Sequence, residues 1–329
     1  MSFPFDLDPK ERDPDGWATS LLYNAEFVLG CLDAVEARSV VEVGAFMGEL
    51  TRLLLRWADT SGAQVTAIDT VPHPDLEELG PVHDNLQIVF DTSLAALAEL
   101  PLADAIILDG DHNYYTLSQE LRITAERAAV QERRLPLLIM HDLGWPHGRR
   151  DDYYVPERIP PEHRHPMADG GLYPGEPGSY RGGIPGAHPA AHEGGPRNGV
   201  LTAIEDFMAT RDMMRLAIVP PFFGLGVMWD TTDPHDTAVA EVVGRWDRNP
   251  LLQRMENNRV LHLANTHVQK FLAGEAEQRL AELGQQLRRQ TDLLQRMLGS
   301  RVLRAAELAL RLRGSEPVFS HREIQRAID

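Results

Sequence analysis

Five short blocks hold the side chains able to do chemistry. Glu42-Val43-Gly44-Ala45-Phe46-Met47-Gly48-Glu49 sets an acid two residues before one glycine, with a second glycine four residues on. Gly44 lets the backbone turn sharply and come close to a ligand, because no Cβ intrudes. Asp69 ends Gln64-Val65-Thr66-Ala67-Ile68-Asp69, and Asp91, followed by Thr92 and Ser93, ends Leu86-Gln87-Ile88-Val89-Phe90-Asp91. The last two blocks are Asp109-Gly110-Asp111-His112-Asn113-Tyr114 and Met140-His141-Asp142. Asp111 and His112 are candidate bases: histidine titrates near neutrality, and an acid beside a cation can still accept a proton. Mg²⁺ and Ca²⁺ prefer oxygen ligands, so a His141–Asp142 pair suits a softer ion as well, or no ion at all. Each group also has an ordinary structural use. Asp69 and Asp91 are good helix N-caps, and a histidine at a helix start commonly bonds to backbone.

These blocks sit at the ends of short apolar runs. Ser39–Val43, Gln64–Asp69, Leu86–Asp91, Ala105–Asp109 and Leu137–Asp142 read as buried parallel strands, near-continuous in Val, Ile and Leu and separated by helical segments such as Glu49–Trp57. Repeated βα units of this length predict a doubly wound, mostly parallel α/β sheet with right-handed crossovers. Ligands in such sheets bind at the carboxyl ends of the strands, where these acids and glycines fall. Leu216–Val219 and Leu225–Trp229, separated by Pro220-Pro221-Phe222-Phe223-Gly224, predict an antiparallel pair that brings the sheet to seven strands.

The expected organisation is a helical lead-in over 1–38, with an amphipathic helix from Trp17 to about Ala37, an α/β domain over 39–234 and a helical extension over 235–329. Residues 145–198, dense in Gly and Pro and carrying His147, His163, His165, His188 and His192, form an insertion leaving the ligand-binding edge. It reads as a substrate lid, with disorder as the alternative. Leu280, Leu283, Leu287, Leu294 and Met297 follow heptad spacing, which fits either a homodimer contact or a helix packed on its own domain.

A net charge of −17 argues against a nucleic-acid partner, because an acidic chain repels phosphate backbones, and it favours cationic ligands. No apolar run approaches the roughly 20 residues that cross a bilayer. Cys31, the single cysteine, permits no internal disulfide, and the acidic start of the chain does not look like a signal peptide; a cytoplasmic location is expected.

The Glu42–Gly48 segment resembles the first motif of class I S-adenosylmethionine (SAM)-dependent methyltransferases, acid-x-G-x-x-x-G. The dinucleotide fingerprint would need glycine at Phe46. The resemblance implies a Rossmann-like methyltransferase fold with SAM as cofactor, held by Glu42, Gly44, Gly48, Asp69, Asp91, Ser93 and Asp109. In it Asp69 would bind the ribose hydroxyls and Asp91 would flank the adenine. Asp109-Gly110-Asp111-His112-x-Tyr114 and His141-Asp142 resemble the paired signatures of the D-G-D-H-x-Y group and of macrocin-type natural-product sugar methyltransferases. The likeness covers about residues 38–145, and 199–230 loosely. It implies Asp109, His141 and Asp142 around a divalent cation such as Mg²⁺, with Asp111 as base. His141 departs from that pattern, which has an acid there. The implied acceptor is a sugar or aminosugar of a small natural product, and the acidic balance is compatible with an aminoglycoside N-methyltransferase. Two other classes compete: a nicotinamide-dependent oxidoreductase, which NADH binding would reveal, and a non-catalytic assembly protein working through its helical tail.

Overall fold

In the computed structural model, residues 19–315 and 321–326 are described. The chain runs α1 (Ala25–Ala34), β1 (Ser39–Val43), α2 (Glu49–Ser61), β2 (Gln64–Asp69), α3 (Pro74–Glu77), β3 (Leu86–Phe90), α4 (Ser93–Glu99), β4 (Ala105–Leu108), α5 (Tyr114–Val130), β5 (Leu137–Met140). An insertion holding the hairpin β6 (Gly171–Tyr173) and β7 (Glu176–Tyr180) follows. Then come α6 (Val200–Met208), β8 (Met214–Val219), β9 (Leu225–Asp230) and α7 (Asp236–Val243). The last helices are α8 (Pro250–Gly299), α9 (Arg301–Leu312) and α10 (His321–Arg326).

One seven-stranded sheet has the order β3-β2-β1-β4-β5-β9-β8. β1 to β5 pair in parallel, and β9 pairs antiparallel with both β5 and β8. The doubly wound architecture expected from the apolar runs is present, and its reversal of strand order lies between β1 and β4. Alternation along each strand feeds two cores. Val40, Ile107 and Ile139 face α1, α2 and α7, where Val28, Leu53 and Val243 are buried. Val41, Ile106 and Leu138 face α4, α5 and α6, where Leu97, Leu121 and Ile204 are buried. Each such side chain contributes about 1.5–3 kcal/mol on leaving water, so the central strands form a rigid base for whatever sits on their tips.

The lead-in is shorter than its periodicity predicts. A 3₁₀ turn at Leu21–Asn24 precedes α1, and Trp17 lies outside the described residues. The expected extension over 235–329 is divided: the compact units are Met1–Val268 and Gln269–Asp329. Within the first unit α7 packs on α1, and Val260 and Ala264 of α8 are buried. In the second, Leu280, Leu283, Leu287 and Met297 of the heptad pattern are exposed.

The insertion is an ordered wall built around three buried side chains, Arg150, Asp151 and Asp152. The Arg150 guanidinium donates to the carbonyls of Ala190 (2.6 Å) and Pro177 (2.7 Å). The Asp151 carboxylate accepts from Tyr114 N (2.7 Å), Gly199 N (2.7 Å) and the Tyr153 hydroxyl (2.9 Å). Asp152 accepts from Ala187 N and His188 N at 3.0 and 2.6 Å. A Gly/Pro-rich loop lacks ladders to satisfy its backbone, and here buried charged side chains take that part.

Candidate active site

A cavity of about 1130 Å³ opens at the carboxyl edge of the sheet, and the insertion forms one side of it. Glu42, Gly44, Asp69, Asp91 and Ser93 line it from the β1, β2 and β3 tips, and Asp109, Asp111, His112 and Asp142 from the β4 and β5 tips. Gly48 and His141 do not line it. Gly48, at φ +77°, is the N-cap of α2, and the His141 side chain lies 1% exposed beside Asp109 and Asp142.

The turn after β1 is held by its neighbour strand. Gly44 N and Ala45 N donate to Ile68 O, and Phe46 N donates to Asp69 Oδ2 at 2.8 Å. Gly44 stands at φ +88°, where a Cβ would lie 2.1 Å from the Asp109 carbonyl oxygen. The glycine is therefore demanded by contact with the β4 strand end as well as by the turn. Asp69 also receives Val71 N at 2.9 Å, and its carboxylate keeps lone pairs free toward the cavity. Helix α4 is capped by Thr92, whose hydroxyl accepts from Ala95 N, so Asp91 is not the cap its position allows. Ser93 lies beside buried Glu120 on α5 and eases the rise of its carboxyl.

Glu42 is 2% exposed and accepts from the Thr51 hydroxyl at 2.6 Å. Burial pushes its carboxyl up to about 8, with Asp109 and Asp69 adding to the rise against the lowering effect of Thr51. A cation arriving beside it would favour the carboxylate, so Glu42 is suited to a positively charged ligand.

Opposite this half stands a cluster of imidazoles and carboxylates. His141 Nδ1 lies 3.2 Å from Asp109 Oδ1 and 3.5 Å from Asp142 Oδ2. Its Nε2 donates to Phe222 O at 2.8 Å. His112 Nε2 lies 3.0 Å from Asp142 Oδ2 and 3.6 Å from Asp109 Oδ1. Burial alone would lower both histidines, but Asp142 and Asp109 outweigh it and push His112 up to about 9 and His141 to about 10. For Asp109 burial raises the carboxyl, yet the two imidazoles prevail and hold it near 2. His147 goes the other way, down to about 4, through burial and the charge on His112. Asp142 adopts φ +61°, a left-handed conformation that aspartate takes more readily than most residues.

Asp111, beside this cluster, accepts from the Thr116 hydroxyl at 3.0 Å and from Tyr154 N at 3.4 Å. Asn113, not His112, caps α5 through Thr116 N, so the helix-start use of His112 does not apply. Its ring meets Tyr154 and His147 instead. Thr51, Thr116, His147, Asp152, Tyr154 and the Phe222 carbonyl are parts of the site that the sequence pattern did not single out. Of the five insertion histidines, His147 alone lines the cavity. His163 stacks on Tyr115, and His165 and His188 bond to backbone carbonyls.

No family model matches the sequence, and no curated protein matches it. Among solved structures, the chain is similar to a methyltransferase of Podospora anserina with S-adenosylhomocysteine bound. Identity there is 13% over 67% of this chain and 83% of that one, with a TM-score of 0.42. It is also similar to the 1,6-didemethyltoxoflavin-N1-methyltransferase of Burkholderia thailandensis, at 16% identity over 65% and 80% of the two chains and a TM-score of 0.38. The sheet order is what establishes the Rossmann-like fold.

Proposed function

We propose that this chain transfers a methyl group from SAM to a hydroxyl or amine of a small polar acceptor, a sugar or aminosugar. The observation that carries the reading is one cavity joining the Glu42–Asp69–Asp91 strand tips to Asp111 and its neighbours. SAM would supply a methyl carbon already activated for displacement by its sulfonium. Glu42 would meet the ammonium, Asp69 the ribose hydroxyls, and Asp91 with Ser93 the adenine side. That arrangement leaves Asp109, Asp111, Asp142, Asp152 and Tyr154 for the acceptor. Arg158 is the single Arg or Lys among the described lining residues, so the acceptor half is acidic and favours a cationic aminosugar.

The chain has to align the nucleophile and remove its proton. Asp111, which accepts from the Thr116 hydroxyl and Tyr154 N, would take the proton from a hydroxyl or from an ammonium. Asp142 and Asp109 push His112 up to about 9, which leaves Asp111 the readier proton acceptor of the two candidates when no ion lies between them. Asp109, His141 and Asp142 would hold a divalent ion, which would supply positive charge beside an acceptor oxygen. The insertion wall would shield the acceptor side from bulk water.

Calorimetric titration with SAM, and separately with NADH, tests the class. Saturable SAM binding without an NADH signal is expected, and NADH binding in its place would move the chain among the oxidoreductases. Asp111→Asn should lower turnover by about 100-fold with SAM affinity kept; full-rate turnover would remove Asp111 as the base.

A further inference from the structure

The corner between β8 and β9, Pro220-Pro221-Phe222-Phe223-Gly224, sets three consecutive residues in the left-handed region. Phe222 stands at φ +58°, Phe223 at +68° and Gly224 at +91°. Glycine takes that conformation freely, but a bulky side chain keeps it only where its surroundings fix it. Part of the fixing comes from the β5 end, where Gly144 N donates to Phe223 O at 2.6 Å and Leu143 N to Gly224 O at 3.1 Å. The Phe223 amide goes to a partner 33 positions on, donating to Glu256 Oε1 at 2.8 Å.

Glu256 is 6% exposed on α8, beyond the residues that the methyltransferase resemblance covers. A buried carboxylate is stable only when paired and hydrogen-bonded. Arg259 Nε donates to its Oε2 at 2.7 Å and Arg259 Nη2 to its Oε1 at 2.6 Å. The same guanidinium stands 4.4 Å over the Phe223 ring. Glu256 and Arg259 thus hold both the amide and the ring of one left-handed residue.

Phe223 N–H and the Phe222 carbonyl are the two ends of one planar trans peptide. Fixing the N–H on Glu256 therefore fixes the direction of the carbonyl, which accepts from His141 Nε2 at 2.8 Å. A carbonyl oxygen only accepts, so Nε2 carries a proton, and the other ring nitrogen faces the carboxylates. His141 Nδ1 lies 3.2 Å from Asp109 Oδ1 and 3.5 Å from Asp142 Oδ2. Turning the peptide over would set an N–H against His141 Nε2, donor to donor.

We infer that Glu256 is a positioning residue for the active-site cluster, setting the His141 imidazole against Asp109 and Asp142 through the Phe222–Phe223 peptide. Glu256 itself does not line the cavity. As a role in methyl transfer this rests on the function proposed above, whereas the orientation of the ring is read without SAM or acceptor.

The full chain, carrying isotope-labelled histidine, is followed by NMR, with the His141 ring signals identified by their loss in His141→Gln. The buried Nε2 proton held by Phe222 O should exchange slowly with water. Glu256→Leu leaves Phe223 N without its acceptor and should speed that exchange by at least about tenfold. Glu256→Gln keeps an acceptor oxygen and should stay within about threefold of the parent. Glu256→Asp, shorter by one methylene, should fall between them, and it decides the matter if thermal unfolding shows that the Leu variant does not fold. Unchanged exchange in a folded Leu or Asp variant would overturn the inference and leave Glu256 an anchor of α8 alone. Exchange as fast in the Gln variant as in the Leu variant would also overturn it, as would a parent proton exchanging like that of free imidazole. SAM calorimetry on the same samples is a separate reading: a parent that binds no SAM would sink methyl transfer and leave the ring signal to be judged by itself.

Discussion

The turn after β1 and the insertion after β5 leave the same edge of the sheet and reach the cavity by different means. The first is a handful of residues whose shape comes from backbone conformation, with Gly44, Phe46 and Gly48 all at positive φ, Gly44, Ala45 and Phe46 anchored on Ile68 and Asp69, and Gly48 on Ala45. Its partners lie about one βα unit away in sequence. The second is long, and it is held by buried side chains that bond to distant backbone. Asp151 reaches Tyr114 across 37 positions and Gly199 across 48, and Arg150 reaches Ala190 across 40. A site wall can thus be set by local backbone geometry or by a few buried charges. The second kind is concentrated in few residues and is the easier to break.

Asp151→Ala should have the largest effect. It leaves three donors without their acceptor in a buried place, at a cost of about 3 kcal/mol or more. Urea unfolding should show the loss and acceptor turnover should disappear, while SAM affinity changes by less than about threefold. A parallel collapse of SAM affinity would mean that the two walls are not independent. Gly44→Ala strikes the other wall. The positive φ of +88° alone should cost about 1–3 kcal/mol, and the Cβ 2.1 Å from Asp109 O adds a backbone clash to it. Here SAM affinity should fall with stability, and a variant binding SAM normally would show that this turn does not shape the cofactor half. Asp69→Ala should weaken SAM about tenfold, or about 1.4 kcal/mol, as read by calorimetry. Unchanged affinity would take Asp69 out of the site.

The smallest effect concerns α5, which gives Tyr114 N to Asp151 and carries buried Glu120 near Ser93. Burial raises Glu120 from 4.5 to about 8, so the folded chain keeps a proton that the unfolded chain has lost. Its contribution therefore falls as pH rises from 4.5 toward 8. Glu120→Gln should remove that slope, making the variant gain about 1 kcal/mol on the parent between pH 6 and 7. Thermal unfolding at the two pH values checks this, and parallel curves would contradict it.

Much of this was legible in the chain. The strands fall where the apolar runs end, because burial on both faces leaves a continuous Val/Ile/Leu signature. Asp69, Asp91, Asp109 and Asp111 were visible as acids just past those runs. His147 was not, since it lay among five histidines with no periodicity to rank them. Thr51 and Thr116 were hidden as ordinary helix residues. The insertion read as a lid because Gly and Pro density marks the lack of ladders but says nothing of Arg150, Asp151 and Asp152 beneath it.

The sequence by itself determined the sheet, its carboxyl edge and the acids along it, because these follow from period, burial and short-range turn chemistry. Tertiary structure alone decided which imidazole faces which carboxylate, that Asp142 turns left-handed beside His112, and that the insertion closes one side of the cavity. Those outcomes depend on contacts between residues tens of positions apart, where a buried polar group takes whichever partner the packed fold brings within hydrogen-bond or ligand distance.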